Sequence, residues 1–321
     1  MIKIFRRCLS IICFCSLIYF SLILAINKDF SAFTIDGIKL WLAFVVPSLF
    51  PYFFITSILS SLSITSKISK LFSPLTRKVF NVNGAVGYAF FMSLLSGYPV
   101  GAKIVCDLKE NGVISESESI RASAFCSTSS PMFLIGSVGS FMFNNIRLGL
   151  ILFFSHLLSA ICIGIIFSFY KRNDKPKTEF SLQSQKVDNV LYESAYSSVI
   201  SILLVGAIIT AFYILSNLLF SLNLLNPIIY LLSMLFKDFN VAKGLVFGLF
   251  ECTQGLKVLS GLGLSCLPHC AFICGFSGIS IIMQSLAYLK KAKIKTAPFL
   301  LSKVLSAVLN LVFCLIICLF V

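Results

Sequence analysis

The chain has 321 residues, of which 58% are hydrophobic and 12% charged, with 33 Phe and a net charge of +14. Soluble domains are about half apolar and about a quarter charged, and one core cannot hide this much apolar surface. The composition excludes an ordinary soluble enzyme, a disordered chain and a secreted disulfide scaffold, and it predicts an all-α, polytopic membrane protein.

About 20 apolar residues cross a bilayer as a helix, and uncharged stretches of that order recur along the chain. The first, 8–27, follows Lys3, Arg6 and Arg7. It is long for a signal peptide and lacks a small-x-small cleavage site, so 1–30 is expected to be an uncleaved anchor with a cytoplasmic N-terminus. Residues 37–61 then predict a span back. In 64–79, Lys67, Lys70, Arg77 and Lys78 alternate with apolar residues at helical spacing (Ile64, Ile68, Leu71, Phe72, Leu75, Val79). This pattern predicts a helix lying in the membrane interface. Residues 83–102 are expected to dip into the membrane and return, which keeps the polar stretch 103–121 inside.

The next predicted spans are 122–143 and 148–170, and the run KRNDKPK (171–177) then lands inside, as the positive-inside rule requires. A full span at 83–102 would put that run outside. Residues 171–195 form a polar cytoplasmic linker. The apolar stretch 194–236 is too long for one helix and should break near Ser221–Asn226 and Pro227. A second dip over 241–257 and spans at 268–289 and 298–320 complete the chain, with KKAKIK (290–295) inside. On this topology every basic residue except Lys28, Lys39, Arg147, Lys237, Lys243 and Lys257 is cytoplasmic. The basic excess then needs no nucleic-acid partner, and no compact basic and aromatic surface lies outside the spans.

Two pairs of segments read alike. LFSPLTRKVFNV (71–82) resembles LLSMLFKDFNV (231–241), and AFCSTSSPMFLI (124–135) resembles AFICGFSGISII (271–282). Each half reads span, interfacial segment, dip, span, span, and the two halves enter from opposite sides. The expected fold is therefore a helical bundle of two inverted-topology repeats, 31–170 and 196–321, each with a re-entrant or broken helix.

Four segments carry candidate chemistry. In SGYPVGAK, Ser96, Gly97, Tyr98, Pro99, Gly101 and Lys103 interrupt an apolar stretch, and its Gly and Pro should break the helix. Broken backbone at depth survives only where it is buried in protein or lines a wet cavity; the alternative is a loop at the cytoplasmic face. In CSTSSP, the hydroxyls of Ser127, Thr128, Ser129 and Ser130 meet Pro131 and can cap a half-helix or hold a ligand. In ECTQG, Glu251 is the sole acidic residue after Asp238, joined by Thr253, Gln254 and Gly255. An ionisable group at bilayer depth needs a role or a partner, here a coupling proton or cation, a solute, or Lys243 or Lys257 at the outer face. In GFSGIS, Ser277 and Ser280 occupy the position of CSTSSP in the second half.

The cysteines fall mostly in apolar stretches and read as small hydrophobes. Cys266, Cys270 and Cys274 beside His269 lack a zinc-type pairing, so neither metal nor cofactor is expected. His156, alone in an apolar span, reads as a packed, hydrogen-bonded histidine. No H-E-x-x-H, G-x-S-x-G or P-loop is present, and no enzyme is expected.

The order LWLAFVVPSLFPYFF, FNVNG, SGYPVGAK, CSTSSP, ECTQG resembles the YlbJ-type sporulation integral membrane protein family over about 36–315. That family carries nucleoside-recognition (Gate-type) domains similar to the core of concentrative nucleoside transporters. The resemblance implies a multi-pass protein of the bacterial cytoplasmic membrane, associated with spore cortex formation. Together these readings predict a secondary transporter or exchanger of a small polar solute, nucleosides among the candidates, coupled through Glu251 to a proton or sodium ion. The alternative expectation is a non-transporting scaffold for spore envelope layers. Solute, coupling ion and oligomeric state stay open at this level.

Overall fold

The computed structural model describes residues 29–61, 64–174, 176 and 189–320. The expected anchor at 8–27 and most of the linker lie outside the described residues. Among those described there is no strand, and five helices are long and apolar enough to cross a membrane: Phe30–Leu59, Ile146–Ser168, Val190–Ser221, Leu264–Lys291 and Thr296–Cys318.

Helices α1 (Phe30–Leu40) and α2 (Val46–Ser61) are joined through a π turn at Trp41–Val45 and form the first span. Helix α3 (Ile64–Leu75), with a π turn at Thr76–Phe80, meets α4 (Gly84–Ser96) at 100°. Asn81 makes the corner in left-handed backbone, and Asn83 caps α4 by accepting the Ala85 N–H at 2.9 Å. Lys67, Lys70 and Leu71 are exposed on α3. The expected amphipathic helix at 64–79 is therefore present, set across the direction of α4.

The dip at 83–102 is longer than expected. The chain breaks at 97–99, and α5 (Val100–Glu110) doubles back along α4. Gly101 makes this fold possible, because a Cβ there would overlap Ser93 of α4 and the Cys126 carbonyl. The second dip has the same form. Helices α10 (Phe239–Phe250) and α11 (Cys252–Ser260) fold against each other at Glu251, with Gly255 seated on the backbone of Gly248. Both dips are thus helical hairpins.

The predicted span 122–143 is not one helix. Its first part, α6 (Glu116–Phe125), begins six residues earlier, at a capping box in which Ser115 and Glu118 exchange hydrogen bonds. An unwound stretch follows at 126–130, and then a π-helix, Met132–Met142. The polar sequence before residue 122 hid this start, because the buried polar groups there serve one another. Glu118 accepts the Asn83 and Ser115 N–H groups at 2.9 and 2.8 Å. Arg121 donates to the carbonyls of Tyr170, Lys171 and Asp174, just beyond α7 (Ile146–Ser168).

The apolar stretch 194–236 breaks as expected into α8 (Val190–Ser221) and α9 (Asn226–Phe236). Helices α12 (Leu267–Phe276) and α13 (Gly278–Lys291) together make one broken span, and α14 (Thr296–Cys318) ends the described chain. Helix α14 packs on α12 and α7, α8 packs on α1 and α2, and α6 packs on α7. Across the halves, α13 touches α5 and the π-helix touches α11, while α6 touches α14 and α12 touches α7.

The helices are polar inward and apolar outward, as lipid requires. On α14, Ser302, Lys303, Ala307 and Asn310 are buried, while Leu301, Val304, Val308 and Leu315 are exposed. On α7 the buried stripe runs Ser155, His156, Ser159, Ala160 and Ile163.

Substituting Gly255→Val should disrupt the second hairpin, lowering thermal stability in detergent by about 1–3 kcal/mol or more. Gly261→Ala, whose added Cβ meets only ordinary contacts near 3.5 Å, should leave the melting curve in place.

Candidate functional site

The four segments singled out in the sequence are the four breaks in the helices, and all four lie in the protein interior. At the first, Gly97 has φ +77, which side-chain-bearing residues rarely adopt, and it brings the hairpin tip against the Ser130 backbone. Tyr98 follows, 7% exposed. At the second, Ser127, Thr128, Ser129 and Ser130 are all buried. Thr128 Oγ1 is 2.9 Å from Ser93 Oγ, which also accepts the Thr128 N–H. Ser130 Oγ accepts the Phe133 N–H at 3.2 Å, and Pro131 opens the π-helix behind it.

At the third break, Glu251 caps α11 by accepting the Gln254 N–H at 2.6 Å through Oε2. The carboxylate is fully buried and its Oε1 has no hydrogen-bond partner. Neither lysine weighed as a partner pairs with it. Lys243 stands over the Phe220 ring at 4.2 Å and Lys257 is 5.9 Å from the Phe44 ring. The Gln254 side chain turns away and accepts a hydrogen bond from Ser216 Oγ at 2.7 Å. At the fourth break, Ser277 has φ +78 and donates to the Tyr98 hydroxyl at 2.6 Å. That bond ties the last break to the first.

The first three breaks share a cavity of about 40 Å³, lined by Gly97, Tyr98, Ser129, Ser130, Glu251, Thr253 and Gln284, with Leu49, Phe133, Val205 and Ile209 as apolar walls, whereas Ser277 and Ser280 of the fourth do not line it. It has room for about three waters. Not all predicted residues meet there. Lys103 is exposed and lines a separate cleft with Asp107, Ser197 and Ser201. Gly101 and Gly255 serve hairpin packing. Ser96 and Ser280 are buried, and their hydroxyls have no partner. No group of three His, Cys, Asp or Glu side chains placed to hold a metal occurs among the described residues.

Of the residues that support the breaks, the sequence pointed only to His156, as a packed, hydrogen-bonded histidine, and it is one. His156 accepts the Ser129 N–H through Nε2 at 3.0 Å, which fixes the ring proton on Nδ1. Asn310 donates to the Ala271 carbonyl at 2.8 Å and lies beside the same ring. Lys303 is 2% exposed, and its Nζ donates to the Ser127 carbonyl at 2.7 Å. The signal for Lys303 was present, since it is the sole charged residue after Lys295. The argument applied to Glu251 applies to it equally.

Membrane-length helices with broken, polar-lined interiors define a multi-pass integral membrane protein with two helical hairpins. Residues 42–171 match the family model described as Gate, nucleoside recognition. The chain is 28% identical over 296 residues to the Sporulation integral membrane protein YlbJ of Bacillus subtilis (strain 168), covering 84% of this chain and 72% of that one. No solved structure matches. The family resemblance read from SGYPVGAK, CSTSSP and ECTQG is borne out by the Gate match over residues 42–171 and by the similarity to this relative.

The Ser277–Tyr98 bond should couple the two breaks. In a double-mutant cycle, Tyr98→Phe and Ser277→Ala are each expected to lower stability by about 1 kcal/mol, and the double mutant by less than their sum. Additive losses measured by chemical unfolding in detergent would remove the coupling.

Proposed function

We propose that the protein is a secondary transporter or exchanger of a small polar solute, built from two inverted-topology repeats that move against each other. The observation that carries this reading is Glu251. It is a buried carboxylate with one unpartnered oxygen, at a cavity formed where both hairpin tips meet an unwound helix. An unpaired carboxylate at such depth is costly unless a proton, cation or solute engages it during the working cycle.

The repeat is supported by matching order: long span, short helix, hairpin, broken span, span. It is also supported by reciprocal contacts, in which each hairpin's second helix meets the other half's broken span, and each broken span meets the other half's last helix. The cavity is smaller than a nucleoside, so in this reading the structure is a closed form that opens to load. The Gate description makes nucleosides the first solutes to test, and the name of the B. subtilis relative supports a role in sporulation. We further infer residence in the bacterial cell membrane with the N-terminus inside.

The test begins with ligand-dependent thermal shifts in detergent across nucleosides, amino sugars, amino acids and dicarboxylates. A true ligand at about 100 times its Kd adds about 2.7 kcal/mol. In liposomes, Glu251→Gln should weaken uptake of that solute by about 10- to 100-fold, the worth of a charge-assisted hydrogen bond, and flatten its pH dependence. Wild-type rate and pH profile in the mutant would sink the coupling role.

A further inference from the structure

The ammonium of Lys303 lies where oxygens of two broken helices and an aromatic face converge. Its Nζ donates to the Ser127 carbonyl at 2.7 Å and lies 3.5 Å from Ser277 Oγ. The rings of Tyr98 and Phe299 are 4.6 and 5.4 Å away. No carboxylate pairs with it among the described residues.

Its ligands come from two helix ends. Ser127 follows Cys126, the C-cap of α6, and Ser277 is the C-cap of α12. The C-terminus of a helix carries about half a negative charge, and cations are stabilised there. Two such ends, a carbonyl oxygen, a hydroxyl oxygen and an aromatic face converge on one point. Unwound carbonyls and half-helix C-terminal ends are the groups that coordinate sodium ions within membrane bundles. Here the positive charge arrives on a side chain from α14, seven residues and about 10 Å past the helix start.

We propose that Lys303 is a tethered substitute for a free sodium or potassium ion, holding the broken helices α6 and α12 together without a dissociable cation. This rests on the transporter reading only for its consequence, which is that coupling runs through Glu251 alone and is independent of sodium. The site itself stands apart from transport. Its ligands are also those that shape the cavity, because Tyr98 lies under the ammonium and is bonded to Ser277. A fixed charge here would keep the two breaks registered in every conformation in which α14 moves with them.

The test is thermal unfolding of the purified protein in detergent, in sodium, potassium or choline chloride at constant ionic strength. Wild type is expected to melt at one temperature in all three. Lys303→Ala should melt lower in choline and recover by about 2–4 °C or more in sodium or potassium. Lys303→Arg, which keeps the charge, should stay insensitive to the cation. Wild type stabilised by sodium as strongly as Lys303→Ala would overturn the proposal. So would a folded Lys303→Ala that responds to no cation. If Lys303→Ala cannot be purified in choline, recovery of folded protein in sodium or potassium supports the site, and failure in both overturns it. None of these outcomes depends on solute uptake, so a failed transport assay and a failed cation assay are distinguishable.

Discussion

The rest of the structure depends on one constraint: unwound backbone inside a lipid-embedded bundle must find its hydrogen-bond partners within the protein. Four breaks interrupt the helices, and the unwound stretch at 126–130 is answered by side chains from elsewhere in the chain. Ser93 and His156 take the N–H groups of Thr128 and Ser129, and Lys303 takes the carbonyl of Ser127. Glu251 takes the N–H of Gln254. Ser93, His156 and Lys303 sit on α4, α7 and α14, so the unwound stretch at 126–130 forms only with those elements assembled around it. The site and the fold are therefore one network.

Close approach of the helices is the second requirement. Lipid is as apolar as a leucine side chain, so helices gain little by burying leucine on leucine and associate through small and polar residues. Gly255 on Gly248, Gly101 beside Ser93, and Gly139 against Gly149 let backbones approach to distances that no side chain would permit. The serine-rich inner stripes of α7 and α14 meet where Ser159 donates to the Ser306 carbonyl. Large apolar residues are left to face outward, which explains why so hydrophobic a chain buries so much serine.

Most of the architecture was legible because a bilayer allows few solutions. Charge-free stretches of sufficient length gave spans 37–61, 148–170 and 298–320. Gly and Pro marked the break at 97–99, and charges at helical spacing marked the amphipathic helix over 64–79. The start of α6 was not legible. Glu118 and Arg121 fall in the polar stretch 103–121, expected on the cytoplasmic side, yet both are fully buried because each finds backbone partners from distant segments. Polarity excludes burial only when partners are missing, and partners contributed from another part of the chain leave no local trace.

Residue types and their order alone were enough to read an α-helical membrane protein, a break at 97–99 and a Glu251 out of place in an apolar setting. Those conclusions follow from transfer free energies and backbone sterics, which act residue by residue. Only the tertiary structure decided that Tyr98 meets Ser277, that Lys243 and Lys257 leave Glu251 unpaired, and that Lys303 rather than a nearby residue supports the Ser127 carbonyl. The physical reason is that these contacts join residues up to 179 positions apart. Such pairings are set by how the hairpins and broken spans pack together, not by any local preference of the chain.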